Sequence, residues 1–243
     1  MKKNNVIFGI VGLVLGLIIG FAVTNSINRN AYSQMATQNA QNAAFSGNQP
    51  QVSNQVVRDQ PRSGGAAMPQ IQQTLDRAKN EPDNFAAQME AGEMYYRIQR
   101  FEEAADYFEK AIQIRPDDYD ALVKAGNARF DAGAIKMESG GNGTEDFIKA
   151  EKIYEAALTK KPNDPDVRTD LGLTYLYRQP KDIERALKEF RASLVADPNH
   201  EITLQSMARA LKEKGDTAAF QETLVKLEKV NPDNRTLGQL RNQ

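Results

Sequence analysis

Few residues of this chain could carry out acid–base or nucleophilic chemistry. The 243 residues include one histidine, His200, and no cysteine. A histidine- or thiolate-based metal or catalytic site is therefore nearly excluded within one chain. His200 follows Pro198 and Asn199, and this short polar step after a proline predicts the position at which a helix begins. The sequence accordingly predicts a protein that is not an enzyme, with no catalytic, cofactor-binding or metal-binding residues.

Carboxylates and glycine clusters are the other features that could form a site. The acidic residues Glu102–Glu103, Asp117–Asp118 and Asp164 to Asp166 fall at predicted helix starts, where negative side chains interact favourably with the helix dipole. Glycines cluster at Gly64–Gly65 and at 140–143, but neither cluster follows a predicted strand, as a phosphate-binding loop requires. Both patterns indicate the beginnings and ends of helices rather than a catalytic site.

Five prolines divide the C-terminal two-thirds of the chain at nearly regular intervals of 34, 46, 36 and 34 residues. Each proline is followed by two residues drawn from Asp, Asn and His, and apolar residues recur between them at steps of three and four. A period near 34 indicates a helix pair that is copied several times, because one pair cannot bury its own apolar face. The prolines are Pro82, Pro116, Pro162, Pro198 and Pro232.

Small and aromatic residues recur in this register. The first copy carries Gly92, Tyr95, Ala104, Phe108 and Ala111. These positions resemble the tetratricopeptide repeat (TPR), whose pattern is Leu-Gly-x-x-Tyr followed by Ala, Phe, Ala and Pro. In the later copies the matching residues are Leu122, Ala125, Gly126, Ala150, Tyr154 and Ala157, with Arg129 at the Tyr position; Leu171, Gly172, Tyr175, Ala186, Phe190 and Ser193; and Leu204, Met207, Ala208, Leu211, Phe220, Leu224 and Leu227.

The resemblance implies an all-α superhelix of about four TPR helix pairs within a domain spanning 68–243. Before the first repeat, Ile71 to Lys79 resembles the second helix of a half-repeat. After the last repeat, Thr236 to Leu240 forms a short stub. The repeats are expected at about 85–118, 119–164, 165–200 and 201–234.

The second copy exceeds the period by 12 residues, since its interval is 46 rather than 34. We expect a lengthened first helix, a mobile loop around Ser139–Gly143 and a new helix start at Thr144. The insertion at 134–147 is either a tolerated surface feature or a loop that contacts a partner.

The N-terminal residues 1–24 predict a transmembrane signal-anchor. Val6 to Val23 is an uninterrupted apolar run of 18 residues, which as a helix spans about 27 Å of a ~30 Å hydrocarbon core. Lys2 and Lys3 precede it, which favours a cytoplasmic N-terminus and an extracytoplasmic TPR domain, periplasmic in a bacterium. The alternative is a cleaved signal peptide, with small residues at Gly20 and Ala22.

Two further predictions concern the segment before the repeats. Gly12, Gly16 and Gly20 share one helix face and could support homo-oligomerisation. Residues 25–67 are rich in Asn, Gln and Ser, which predicts a disordered linker.

The remaining chain is mildly acidic with interspersed charges, which argues against binding to nucleic acid.

The resemblance also implies a protein-binding groove, because the first helix of each TPR pair lines the inner surface. We assign the groove residues by aligning each copy with the repeat pattern. The middle of this set is apolar and its C-terminal end is basic, which suits a peptide with apolar anchors. The carboxylate clamp of chaperone-binding TPR domains is not expected, because Met89 and Glu93 depart from it and Asn127 alone matches. The predicted residues are Met89, Glu93, Tyr96, Arg97, Val123, Asn127, Phe130, Asp131, Thr169, Leu173, Leu176, Tyr177 and Arg209, with Gln205 and Lys212 beside Arg209.

The sequence therefore predicts a membrane-anchored, non-catalytic scaffold, or an assembly or chaperone accessory factor, that binds an unidentified protein or peptide. It resembles bacterial envelope TPR proteins, including subunits of cytochrome c maturation. Two alternatives stay open, a self-assembling envelope structural protein and a regulatory subunit of a membrane enzyme complex such as cytochrome c maturation.

Overall fold

Helices follow one another through residues 67–242, the part of the chain that the computed structural model describes. This part contains ten α-helices and no strand, so the prediction of an all-α fold is confirmed. The helices are α1 (Ala67–Asn80), α2 (Phe85–Arg97), α3 (Phe101–Ile114), α4 (Tyr119–Glu138), α5 (Thr144–Lys160), α6 (Pro165–Tyr177), α7 (Ile183–Ala196), α8 (Glu201–Lys214), α9 (Thr217–Val230) and α10 (Arg235–Asn242).

Four helix pairs, α2–α3, α4–α5, α6–α7 and α8–α9, each pack together and then against the next pair. The polar step after each proline starts the next pair. Asn84, Asp118 and Asp164 are N-caps whose side chains accept hydrogen bonds from the backbone N–H of Ala87, Ala121 and Val167. Such caps satisfy N–H groups that a helix start leaves without a partner. His200 holds the same position but makes no such bond, and its ring bonds to other side chains instead.

A glycine packed against an aromatic ring joins the helices within each of the first three pairs. A Cβ built on Gly92 lies 2.6 Å from Phe108, and one on Gly126 lies 2.5 Å from Tyr154. Gly172 faces Phe190 in the same way. The two backbones can therefore approach closely only because the first helix has no side chain at this point.

The surplus residues of the second copy lengthen its two helices. Helix α4 has 20 residues against 13 in α2, and α5 has 17 against 14 in α3. The predicted helix start at Thr144 is confirmed. The expected loop is a short hydrogen-bonded turn, in which the N–H groups of Gly140 and Gly141 bond to the carbonyls of Met137 and Lys136. The insertion therefore extends the helical hairpin rather than adding a long loop.

Arg129 lies where the repeat pattern has tyrosine, and it links the first two pairs by charge. Its guanidinium donates to Asp106 (2.7 Å) and Glu109 (2.5 Å) of α3. It also lies 3.8 Å from the buried carboxylate of Asp146 at the start of α5. Burial alone would lower the pKa of Arg129, but Glu109 and Asp106 raise it above its usual value. The side chain therefore remains a cation at this junction.

Helix α10 covers the end of the fourth pair. Leu237 and Leu240 are buried, and the carbonyl of Leu240 accepts a hydrogen bond from Lys212 of α8 (2.9 Å). The side-chain amides of Asn231 and Asn234 both donate to Glu201 at the start of α8. The predicted stub is thus a helix that covers apolar surface of the last pair.

The predictions made for the first 66 residues lie outside the described part of the chain. They include the transmembrane segment Val6–Val23, the glycine face of Gly12, Gly16 and Gly20, and the linker up to α1. Within residues 67–242, no helix combines the length and the apolar character needed to cross a membrane.

Candidate protein-binding surface

The first helices of the four pairs form the inner side of the stack. Helix α4 contacts α6, and α6 contacts α8, across successive pairs. Among the described helices, no two second helices of successive pairs approach each other as closely. Since the first helices are drawn together at these two junctions while the second helices are spread apart, the stack curves there with α4, α6 and α8 on its concave side. The contact of Lys124 with Glu93 joins α2 to the same surface.

The structure divides the thirteen predicted groove residues into accessible and buried sets. Glu93 and Arg97 are exposed. The half-buried residues are Tyr96, Val123, Asn127, Tyr177 and Arg209. The other six, Met89, Phe130, Asp131, Thr169, Leu173 and Leu176, are at most 9% exposed.

The expectation of apolar anchors in the middle of the groove needs correction. Phe130, Leu173 and Leu176 are 1%, 0% and 3% exposed, so in this conformation they offer almost no surface to a ligand. The ring of Phe130 packs edge-on against Phe147 (centroids 5.3 Å apart) and Tyr177 (6.0 Å). Such contacts stabilise the fold. The accessible part of the inner surface is consequently mostly polar, with tyrosine, asparagine and charged side chains beside the half-buried Val123.

Polar bridges cross the inner surface between α2 and α4. The ammonium group of Lys124 pairs with Glu93 of α2 (2.6 Å) and with Asp120 one turn earlier on α4 (2.7 Å). Burial lowers the pKa of Lys124, but the two carboxylates outweigh it and raise the pKa above its usual value. The hydroxyl of Tyr96 donates to the buried carboxylate of Asp131. These bridges fix the positions of side chains that a partner would meet.

The surface at α6 and α8 is basic and aromatic. The guanidinium of Arg209 lies 3.5 Å from the hydroxyl of Tyr177, across the junction of the third and fourth pairs. Lys212 lies one turn farther along α8 and reaches α10. Arg209 and Lys212 are both half-buried. The predicted basic end of the surface therefore consists of cations already positioned by neighbouring groups.

Comparison with protein families matches the tetratricopeptide repeat over residues 65–121. This segment covers α1, the first pair and the start of α4. The chain contains tetratricopeptide repeats. A comparison with curated proteins finds no match.

Solved TPR structures have the same fold at low identity. MamA from Desulfovibrio magneticus RS-1 superimposes with a TM-score of 0.58 at 16% identity, covering 70% of this chain and 89% of that one. The thermophilic TPR protein TTC0263 from Thermus thermophilus gives a TM-score of 0.53 at 12% identity, with 71% and 87% covered. These similarities extend the TPR fold beyond the segment that the family comparison matches.

Sequence reasoning missed Lys124, which lies on the inner TPR surface and links two repeats. The signal was present, because Asp120 and Lys124 are four residues apart on one helix and such pairs face each other. Its second partner, Glu93, is 31 residues away and could not be recognised from local spacing. In the described residues, no group of three or more His, Cys, Asp or Glu side chains could hold a metal ion.

Proposed function

We propose that this protein is a non-catalytic scaffold that binds a segment of another protein on the inner surface of its repeats. The observation that carries the proposal is the accessible set on successive first helices, which combines Tyr96, Asn127, Tyr177 and Arg209. Tyrosine and arginine are enriched among residues that dominate binding energy at protein interfaces. A partner would meet polar groups that neighbouring side chains already hold in place, which reduces the entropy lost on binding.

The proposed ligand is an extended or helical segment recognised mainly by hydrogen bonds and charge. The inner surface changes character along the stack, from Glu93, Arg97 and Lys124 at the first two repeats to Arg209 and Lys212 at the fourth. We therefore propose that the end of the segment lying on the fourth repeat is acidic. This replaces apolar anchors as the main source of specificity.

We further propose that Val6–Val23 anchors the scaffold in a membrane and that the repeats work outside the cytoplasm. The support is the length of the apolar run and the two lysines before it. Protease treatment of intact cells or spheroplasts tests this, since exposed repeats are digested while a cytoplasmic domain is protected. In that setting the scaffold would act as an assembly or accessory factor for envelope proteins.

Charge reversal on the inner surface is expected to weaken partner binding. Arg97→Glu with Arg209→Glu should reduce the partner captured by the full-length chain at least about tenfold, which corresponds to ~1.4 kcal/mol of binding free energy. The measurement is quantitative cross-linking and affinity capture from the native membrane fraction. Circular dichroism should show unchanged helix content.

The matched control carries the same charge change on the outer surface. Lys188 and Arg191 are exposed on α7, a second helix, and Lys188→Glu with Arg191→Glu should leave capture unchanged. Equal loss from both double variants would indicate a non-specific charge effect. Undiminished capture by the inner-surface variant would overturn the assignment.

Self-assembly by end-to-end stacking is not the function that we favour. Stacking needs an apolar surface at the end of the repeats, and α10 buries Leu237 and Leu240 there. The remaining side chains of α10 include Arg235, Gln239 and Arg241, which are exposed. The accessible face of α10 is therefore polar, which disfavours stacking through apolar contacts on this helix.

A further inference from the structure

The junction of the third and fourth repeats contains a buried cluster of hydroxyl groups. Thr169 of α6, Ser193 of α7 and Thr203 of α8 are each at most 1% exposed. The Thr203 oxygen lies 2.5 Å from that of Thr169 and 2.8 Å from that of Ser193. Thr169 and Ser193 both donate to the carbonyl of Pro165. The cluster therefore connects three helices from two repeats.

His200 closes this cluster on its outer side. Its Nδ1 lies 2.6 Å from the Thr203 hydroxyl oxygen, and its Nε2 lies 3.0 Å from a carboxylate oxygen of Asp166 at the start of α6. The side chain of His200 is 15% exposed and that of Asp166 is 57% exposed. The imidazole thus bridges the third repeat to the fourth, with one nitrogen in the interior and the other near solvent.

The two ring nitrogens differ in what they require of the imidazole. A carboxylate only accepts hydrogen bonds, so Nε2 must carry a hydrogen in order to bond to Asp166. Nδ1 accepts a hydrogen bond from the Thr203 hydroxyl when the ring is neutral and donates to the Thr203 oxygen when the ring is a cation. The ring therefore bridges Asp166 and Thr203 in both forms, and protonation turns its contact with Asp166 into an ion pair.

The charged groups around the ring favour its cationic form. Asp166 and Asp170 of α6, and Asp197 at the end of α7, face it, while Glu201 follows it in sequence. Arg168 of α6 pairs instead with Glu189 of α7 (2.6 Å). Burial lowers the pKa of His200, but Asp166, Asp197 and Asp170 outweigh burial and raise it above its usual value of about 6.5.

We propose that His200 is a protonation-dependent clamp, which holds the third repeat to the fourth more strongly as a cation, paired with Asp166 at 3.0 Å, than as a neutral ring. A group whose pKa is raised by folding stabilises the fold fully below its unfolded pKa, and this contribution disappears as pH rises through the folded pKa. The clamp therefore weakens as pH rises from about 6.5 through the folded pKa. The inner-surface contact between Tyr177 and Arg209 crosses the same junction.

The single histidine makes the titration directly measurable. The full-length chain labelled with ¹³C-histidine gives one imidazole signal, and we expect its midpoint above about 6.5. Asp166→Asn should lower this midpoint, because it removes the nearest carboxylate. The control, Glu222→Gln on α9, removes one negative charge from an exposed pair with Lys226 and should leave the midpoint unchanged.

Unfolding at two pH values tests the clamp itself. With one histidine and no cysteine, His200 is the side chain expected to titrate between about pH 6 and about pH 8.5. The urea midpoint of the full-length chain should be lower at the higher pH, and His200→Gln should remove this difference. A wild-type midpoint of titration at or below about 6.5, or a pH difference that persists in His200→Gln, would overturn the proposal.

Discussion

Replacing Arg129 with methionine is expected to lower the free energy of unfolding by about 3 kcal/mol. Methionine keeps most of the length of the side chain but removes the cation that Asp106, Glu109 and Asp146 share. The side chains of Arg129 and Asp146 are 8% and 4% exposed. The loss of Arg129 leaves the carboxylate of Asp146 in a buried site of low polarity, with Lys136 as its remaining partner (2.7 Å).

Arg100→Met is the matched control for this variant. Arg100 pairs with Glu103 through its Nε (2.7 Å), but the side chains are 56% and 37% exposed. Exposed pairs contribute little because water and salt screen them, so we expect a change within about 0.5 kcal/mol. Urea unfolding followed by circular dichroism measures both variants. If Arg129→Met costs no more than Arg100→Met, Arg129 does not hold the first two repeats together by charge.

The double variant Arg129→Met with Asp146→Leu separates loss of attraction from burial of an unpaired charge. Apolar groups of similar volume often replace a buried ion pair at little cost. We therefore expect the double variant to be less destabilised than the sum of the two single changes. Additive costs would mean that Arg129 and Asp146 act independently, although their charged atoms lie 3.8 Å apart.

Gly92→Ala is expected to destabilise the first repeat by about 2 kcal/mol, although alanine is the better helix former. The added Cβ would lie 2.6 Å from two ring carbons of Phe108, well inside normal carbon–carbon contact of ~3.5 Å or more. Phe108 is 1% exposed, so the ring cannot move without displacing α3. Thermal and urea unfolding measure this cost.

Gly238→Ala is the matched control, because Gly238 also lies within a helix. A Cβ built there meets no heavy atom within 4 Å. We expect Gly238→Ala to be neutral or to stabilise by up to ~1 kcal/mol, because alanine loses less backbone entropy than glycine. Equal effects of the two alanines would show that close packing is not the reason for glycine at 92.

The fourth repeat suggests a compensating change. In register, Ala208 takes the position of Gly92 and Leu224 that of Phe108, and both are buried. A smaller partner therefore leaves room for the additional methyl group. Gly92→Ala with Phe108→Leu should be more stable than the sum of the single effects by at least ~0.5 kcal/mol. Strictly additive effects of the two changes would contradict this explanation of why the fourth repeat has alanine and leucine at these positions.

The sequence predicted the helix pairs and their starts because these depend on local signals. The N-caps Asn84, Asp118 and Asp164 lie two residues after a proline, and cap preference is a property of the residue and its nearest backbone. The glycine–aromatic pairs could also be predicted, since the family pattern fixes both positions. Arg129 stood out as a departure, but its three acidic partners could not be identified from spacing alone.

The groove residues show where sequence reasoning fails. Register places Phe130 and Leu173 on the same helix face as Asn127 and Tyr177, yet two of these are buried and two are half-exposed. Register gives the direction of a side chain from its helix axis. It does not give the distance to the next repeat, and that distance decides whether the side chain meets a partner or the core.

The sequence by itself determined the repeated helix pairs and the residues that start each pair, because caps, helical periodicity and the glycine–aromatic pattern act over short stretches of chain. Only the tertiary structure decided that the accessible inner surface is polar, that Arg129 joins two repeats, and that His200 bridges Asp166 and Thr203. These contacts join residues up to 34 positions apart. They depend on how closely successive repeats pack, which is a property of the whole stack.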